Sequence, residues 1–263
     1  MAGYTVAGDL YYEIDGQLLE IKRQLRQHGG YPCDPRDLRD ALQDIIEGRF
    51  ADQKTELINR MFIPAACQLE AVQRWNSERG WGFTDEDFSN LGEPPVWPED
   101  QLAAIILDFQ LDTVQRTFEE AWALTVSQQP VAWRWEGIKA DVEHLRPYPG
   151  CEHRRGLCWK IIDLGANQGK SSEDIQKAVK PEVLPHSAGL WVAALHPKWV
   201  QAMNRGDNIP CVDIPGYQVF LPGEQAWARV PGLYRSRGFR RVGLVARGAD
   251  SRDPRWGVPV LRE

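Results

Sequence analysis

The sequence lacks long apolar runs, paired cysteines and a recognisable export signal. Its apolar stretches, such as LWVAAL at residues 190–195, are far shorter than a membrane-spanning helix requires. The N-terminal MAGYTVAGDLYYEID has neither the basic start nor the apolar centre of a secretory signal. The five cysteines are scattered and form no C-x-x-C pair, which suits a reducing compartment better than a disulfide framework. We therefore expect a cytoplasmic protein that does not bind a membrane.

Motifs that would identify an enzyme class are also missing. The sequence has no G-x-S-x-G elbow, and Ser187 beside His186 is an adjacent pair without the spacing of a known triad. The side chains of His144, Cys151, His153 and Cys158 have the atom types that bind zinc, but their spacing differs from that of zinc ribbons and fingers. The sequence identifies no catalytic residue, metal site or cofactor, and it leaves open whether the protein is an enzyme.

The first half of the chain predicts helices. Leu18, Ile21 and Leu25 share one helical face, and Asp34 and Gly48 are suitable end residues for a second helix. Further helices are expected near residues 54–61 and 65–78, followed by a short acidic turn capped by Thr84. The longest helix is expected at about 98–127, with an apolar stripe of Leu102, Ile106, Phe109, Leu111, Val114, Phe118 and Trp122.

The second half predicts short helices at 187–195 and 197–205 and then strands separated by Pro and Gly turns. We expect an α+β protein with an acidic helical domain at 1–145 and a basic domain at 146–263. The second domain would contain short helices and an antiparallel β-sheet, and the two domains can pack as one unit.

Charge is distributed unevenly along the chain. Residues 1–150 carry 14 basic and 26 acidic residues, whereas residues 151–263 carry 17 and 11, so the halves have charges of −12 and +6 within a net charge of −6. From residue 227 onward there are nine Arg, no Lys and three acidic residues, with aromatic residues between them. Arginine pairs bidentately with phosphate or carboxylate and stacks on aromatic rings.

This arginine-rich segment predicts a surface for nucleic acid or for an acidic protein. Arginines would hold phosphates while exposed aromatic rings stack on bases. The alternative is that these arginines pair with the acidic half of the same chain or of a neighbouring copy in an oligomer. The residues expected to form the surface are Arg235, Arg237, Arg240, Arg241 and Arg247, with Tyr234 and Phe239 as stacking side chains.

The segment DLGANQGKSSED at 163–174 resembles a phosphate-binding loop but has one residue too few. A P-loop reads G-x-x-x-x-G-K-[ST], whereas only three residues separate Gly165 from Gly169. The same letters fit a glycine turn followed by a helix that Ser171 caps. A phosphate site would instead use Gly165, Gly169, Lys170 and Ser171, with Asp163 or His186 transferring protons.

The chain resembles a family of uncharacterised proteins from uncultured bacteria with small genomes. The similarity is carried by IDGQLLEIKRQL near the start, DLGANQGKS in the middle, and ALHPKWVQAMN, PGYQV and GVPVLRE towards the end. It spans most of the chain and implies a bacterial source. No activity is assigned to the family, so the resemblance transfers no functional residue, although it implies that DLGANQGKS belongs to the family's own architecture rather than to a degraded P-loop.

The leading hypothesis from the sequence is a non-enzymatic binding protein that uses its C-terminal arginine and aromatic residues. Two alternatives remain. One is an enzyme that acts on a phosphorylated or nucleotide substrate through the Gly165–Ser171 turn, and the other is a structural or assembly protein.

Overall fold

The computed structural model describes residues 9–26, 39, 42–43, 61–96, 102–129, 131–203, 209–236 and 241–262. The chain divides into two compact units, Met1–Lys54 and Thr55–Glu263. The second unit contains helices and two β-sheets, so the α+β class expected from the sequence is confirmed. None of the helices in this described part of the chain combines the length and the apolar content that crossing a bilayer requires.

The first unit contains helix α1, Asp9–Leu25, as the apolar spacing predicts. Glu20 and Arg23 form an ion pair at 2.6 Å on this helix, because residues three positions apart lie on the same helical face. The expected helix after Asp34 lies mostly outside the described residues, and the segment expected to be helical at 54–61 is described only at Met61.

A three-stranded antiparallel sheet in the second unit has the order β1, β4, β10. Its strands are Ala103–Gln110, Gly156–Asp163 and Val260–Arg262. The pairing of β1 with β4 runs over eight residues and joins segments from both sides of position 145, where the sequence suggested a domain boundary.

The prediction of one long helix at about 98–127 is wrong, because β1 occupies its first part. The run AAIILDFQ is buried on both faces, and periodicity alone does not separate such a short apolar run from a buried helix. A new helix, α4, begins at Val114 because the Thr113 side chain accepts a hydrogen bond from the Arg116 amide and so caps it. The stripe that was expected on one helix is therefore shared between a strand and a helix.

A larger sheet holds most of the C-terminal strands, with the main order β2, β8, β7, β5, β9. Strand β3 joins it through β6, which pairs with β7. The pairings of β2 with β8 and of β5 with β9 are parallel, so the sheet is mixed rather than wholly antiparallel. Its strands are Ala132–Arg134 (β2), Leu145–Pro147 (β3), Cys211–Asp213 (β5), Tyr217–Val219 (β6), Arg229–Arg235 (β7), Val242–Gly248 (β8) and Trp256–Gly257 (β9).

Short helices connect and cover these strands. They are α2 (Ala65–Arg79), α3 (Asp85–Ser89), α4 (Val114–Gln128), α5 (Ser172–Ala178), a 3₁₀ turn (Pro181–Val183), α6 (Ser187–Leu195) and α7 (Pro197–Ala202). Thr84 and Asp87 form the reciprocal capping box at the start of α3, which confirms the predicted cap. Every residue of α6 is buried, so this helix lies in the middle of the core.

The core joins β1 to α6 through aromatic rings and one buried amide. Phe109 stacks on Trp191 with ring centroids 3.6 Å apart, and the Trp191 indole donates to the Phe109 carbonyl. Gln68 of α2 accepts from the Leu107 amide at 2.9 Å and donates to the Ile105 carbonyl at 2.9 Å. Because β1 is an edge strand of the described sheet, this buried side chain satisfies backbone groups that no other described strand pairs with.

Candidate functional site

A cleft of about 550 Å³ opens beside the three-stranded sheet. Its walls come from β1, from β4, from the loop at 150–154 and from the residues that lead into α6. Its volume is in the range of cavities that hold small molecules. The polar side chains that line it include Asp108 and Gln110 of β1, Cys158 and Lys160 of β4, and His186.

Asp108 is a buried carboxyl group with an unused acceptor atom. The residue is 3% exposed, and its Oδ1 atom has no hydrogen-bond partner among the described residues. Burial raises the pKa of Asp108, while the neighbouring His186 and a hydrogen bond from Ser187 act in the opposite direction. A buried carboxyl group of this kind costs folding free energy unless something binds it, and Asp108 lines the cleft.

Ser187 links the Asp108 carboxyl group to the His186 imidazole. The Ser187 hydroxyl lies 3.2 Å from His186 Nδ1, and its interaction with the carboxyl group lowers the pKa of Asp108. A hydroxyl group can donate one hydrogen bond and accept another. Ser187 can therefore donate to the carboxylate while it accepts from the His186 Nδ1–H group, which leaves Nε2 of the ring as the acceptor.

The other ring nitrogen of His186 has a partner for each protonation state. Nε2 lies 3.2 Å from the Gln110 side-chain nitrogen, which can donate to neutral His186. It also lies 3.2 Å from the Glu152 carbonyl oxygen, which can accept from Nε2–H when the ring is protonated. An imidazole that finds hydrogen bonds in both states can gain and lose a proton without a large rearrangement, as a general acid–base group must.

Two further side chains near His186 have buried polar atoms for which the described residues supply no partner. The His153 Nε2–H group faces the Leu111 carbonyl at 2.9 Å, while His153 Nδ1 has no partner among the described residues. The Tyr217 hydroxyl is likewise unpartnered there, and its ring centroid lies 5.8 Å from that of His186. Burial lowers the pKa of His153 and raises that of Tyr217, so both side chains stay neutral near pH 7.

The two thiol groups of the cleft are poorly suited to act as nucleophiles. Burial raises the pKa of Cys151 to about 12 and, together with the negative charge of Asp108, that of Cys158 to about 11. The thiolate is the reactive form of cysteine, and these pKa values keep both groups protonated at neutral pH. Ser187 is fully buried. The arrangement therefore favours proton transfer over covalent catalysis by the chain itself.

The candidate zinc set from the sequence is divided between separate contacts. His144 pairs with Asp141 at 2.6 Å, and Cys151 contacts the Pro181 carbonyl. Within the residues that the structure describes, no three His, Cys, Asp or Glu side chains are arranged to hold a metal ion.

The arginines and aromatic residues expected to form an anion-binding surface lie in several environments. Arg247 is 10% exposed in its side chain, lies 3.6 Å from Asp213 and stacks on Trp256 at 3.9 Å. Arg235 is buried, and Arg241 stacks on Trp133 at 5.1 Å. The Tyr234 ring lies directly across from Gly243 on β8, where an added Cβ atom would come within 2.1 Å of it. Arg237, Phe239 and Arg240 lie outside the described residues.

Several C-terminal arginines pair with carboxylates that also belong to the C-terminal half. These pairs are Arg229 with Glu224, Arg247 with Asp213, Arg252 with Asp174, Arg255 with Asp253, and Arg262 with Asp163. For these five arginines the carboxylate partners belong to the C-terminal half; pairing of the other arginines with the acidic first half or with a neighbouring copy stays a prediction.

The polar groups of the Gly165–Ser171 turn form hydrogen bonds with other groups of the protein. The Gly165 and Gly169 amides donate to the carbonyls of Leu102 and Trp256 at 3.0 and 2.8 Å. The Lys170 ammonium donates to Asn167 at 3.2 Å, and Ser171 caps α5 by accepting from the Asp174 amide. A phosphate loop needs free backbone amides, so this geometry corresponds to the capped helix start.

Sequence reasoning singled out His186 and Ser187 but not Asp108, Gln110 or Lys160. The available signal was one carboxylate inside the mostly apolar run AAIILDFQ. A charged residue is rarely buried without a partner, so its presence in a buried strand indicates a site.

Comparison with known proteins found no relative of this chain. No family model matches the chain, and no curated protein and no solved structure matches it.

Proposed function

We propose that this protein is an enzyme that binds a small polar molecule in the cleft beside β1 through Asp108 and transfers protons with His186. The observation that carries the proposal is the buried Asp108 carboxyl group, which lines the cleft and whose Oδ1 atom, itself shielded from solvent, has no partner in the described part of the chain. Titratable groups with perturbed pKa values in a cleft are typical of functional sites.

The roles follow from the contacts. Asp108 accepts a hydrogen bond from the bound molecule, Ser187 holds the carboxyl group and the imidazole in a fixed relation, and His186 exchanges the proton at Nε2. Because the thiols of the cleft are protonated at neutral pH, neither cysteine is expected to act as a nucleophile.

Binding is tested first, by thermal unfolding in the presence of individual amino acids, hydroxy acids, monosaccharides and nucleosides. A compound that binds only the folded state raises the unfolding temperature. We expect at least one compound to stabilise the wild-type protein and to lose this effect in Asp108→Asn. Asp85→Asn, which removes an exposed carboxylate from α3, serves as the matched control and should respond like the wild type. No response from the wild type, or an equal response from Asp108→Asn, would refute the proposal.

Chemistry is tested on a stabilising compound by proton NMR in deuterated buffer. The wild-type protein should convert the compound or exchange one of its carbon-bound protons, and both Asp108→Asn and His186→Asn should abolish this change. An unchanged compound would show that the cleft binds without catalysing a reaction.

The non-enzymatic function expected from the C-terminal arginines stays a prediction, since its central residues Arg237, Phe239 and Arg240 lie outside the described part. The stacked positions of Arg241 and Arg247 give these two side chains structural contacts of their own.

A further inference from the structure

Asp108 and Lys160 are two oppositely charged residues of the cleft that form no ion pair with a described residue, although the charge of Lys160 lowers the pKa of Asp108. Lys160 is half-buried and has no hydrogen bond or ion pair with any described residue. Arg154 is already paired with Glu152 at 2.5 Å. Glu182 also lines the cleft, but it is exposed, so water can solvate its charge.

The register of the sheet sets the separation of these two groups. Asp108 lies opposite Cys158, and Lys160 lies opposite Ile106, so Asp108 and Lys160 are diagonal neighbours on the same face of the β1–β4 pair. Diagonal neighbours in an antiparallel pair are about 7–8 Å apart at the backbone. The two charges are therefore close enough for one small molecule to contact both.

We propose that the cleft binds a compact zwitterion of the α-amino acid class, with its ammonium group on Asp108 and its carboxylate on Lys160. The inference rests on the proposed function, because it names the class of molecule that the same cleft takes. In an α-amino acid the nitrogen and the carboxylate oxygens are about 2.7–3.6 Å apart. With a hydrogen bond of about 2.9 Å at each end, such a molecule bridges a carboxylate oxygen and an ammonium nitrogen that are about 9 Å apart.

The charge of Asp108 favours an ammonium group over a hydroxyl group. A buried carboxylate is stabilised most by a partner that carries the opposite charge and donates hydrogen bonds. An ammonium group has three donors, which can be shared between the Asp108 carboxyl group and other acceptors of the cleft. The Lys160 ammonium matches the carboxylate at the other end in the same way.

The inference is tested by calorimetric titration of the twenty common L-amino acids, each compared with its decarboxylated amine and its deaminated acid. We expect at least one amino acid to bind the wild-type protein at least tenfold more tightly than either of its single-charge analogues. Asp108→Asn and Lys160→Met should each weaken this binding at least tenfold. Lys198→Met removes an exposed lysine from α7 and should bind like the wild type.

The outcomes separate this inference from the proposed function. If an amine of this set, or a hydroxy acid or sugar of the thermal-unfolding set, binds as tightly as any amino acid and depends on Asp108 but not on Lys160, the zwitterion assignment is wrong and the cleft remains a functional site. If no amino acid binds the wild type, the zwitterion assignment is refuted, and if no compound of the thermal-unfolding set binds either, the proposed function is refuted as well. The comparison of analogues on the wild-type protein does not depend on whether either cleft variant folds.

Discussion

Replacing Asp108 by Asn should make the folded protein more stable relative to the wild type as the pH rises. Burial raises the pKa of Asp108, so the folded state holds this proton to a higher pH than the unfolded chain does. The unfolded chain releases it near pH 4. Above that pH, folding must either take up a proton or bury a charge. The contribution of Asp108 to stability therefore falls from about pH 4 upward and levels off above the folded-state pKa.

The expected magnitude follows from proton linkage. A single group that binds one more proton in the folded state changes the free energy of unfolding by up to about 1.4 kcal/mol per pH unit. Asn has nearly the same shape and does not titrate. The free energy of unfolding of Asp108→Asn minus that of the wild type should therefore grow at up to this rate above about pH 4. Asp213, whose pKa is also raised, is present in both proteins and cancels in the difference.

Urea unfolding followed by tryptophan fluorescence measures this difference directly. Trp81, Trp191 and Trp199 are buried, so unfolding exposes them to water and changes their emission. The titration is repeated at several pH values between about 4 and 8, and equal urea slopes for the two proteins show that they unfold to the same extent. Asp85→Asn is the control, because its exposed carboxylate lies at the surface of α3.

A constant difference between Asp108→Asn and the wild type across this pH range would refute the reasoning, and so would a difference that shrinks as the pH rises. Either result would mean that the folded protein stabilises the ionised Asp108 carboxylate as well as water does. The cleft would then lack the unsatisfied charge on which the proposed function depends.

Three further predictions concern other parts of the molecule. Burial raises the pKa of Asp213 to about 6, so the wild type should lose about 3 kcal/mol relative to Asp213→Asn between about pH 4 and pH 6 and no more above it, measured by the same urea titrations. Gln68→Ala should lower the free energy of unfolding by about 3 kcal/mol because it leaves backbone groups of β1 unpaired, whereas Gln73→Ala, at an exposed position of α2, should change it little. If the C-terminal arginines bind nucleic acid, fluorescent single-stranded RNA should bind at low salt, with an affinity that falls as salt rises and falls further in Arg237→Ala/Arg240→Ala; no binding at low salt would disprove that function.

Local patterns in the sequence predicted the elements whose ends carry their own signals. Thr84 and Ser171 cap helices as expected, because a short side chain that accepts from a free amide acts within three residues. The C-terminal strands were also predictable locally, because Pro and Gly turns separate them along the sequence. The error at 98–127 arose because a short run that is buried on both faces has no period to read.

The candidate site could be predicted only in part, because its members come from distant parts of the chain. His186 and Ser187 were noticed as neighbours in sequence, but their relation to Asp108 depends on how β1 and α6 pack. Lys160 lies near Asp108 only through the register of β1 with β4. The sequence analysis assigned Asp108 to a helix, and a helix does not pair with the strand that carries Lys160. This one incorrect assignment therefore prevented prediction of the site.

The free-energy cost of burying the Asp108 carboxyl group is connected to its proposed role in binding a ligand. Its sequence neighbours Leu107 and Phe109 are fully buried and apolar, and an apolar residue at position 108 would avoid the cost of desolvating a carboxyl group. The folded chain alone therefore gives no stability reason for a carboxyl group with an unpartnered oxygen, whereas a bound cation offsets that cost in the complex. If Asp108→Asn gains stability and loses the ligand response, Asp108 lowers the stability of the free protein and contributes to ligand binding. A variant that loses stability at every pH would instead show that Asp108 is needed to hold Ser187 and His186 in the fold.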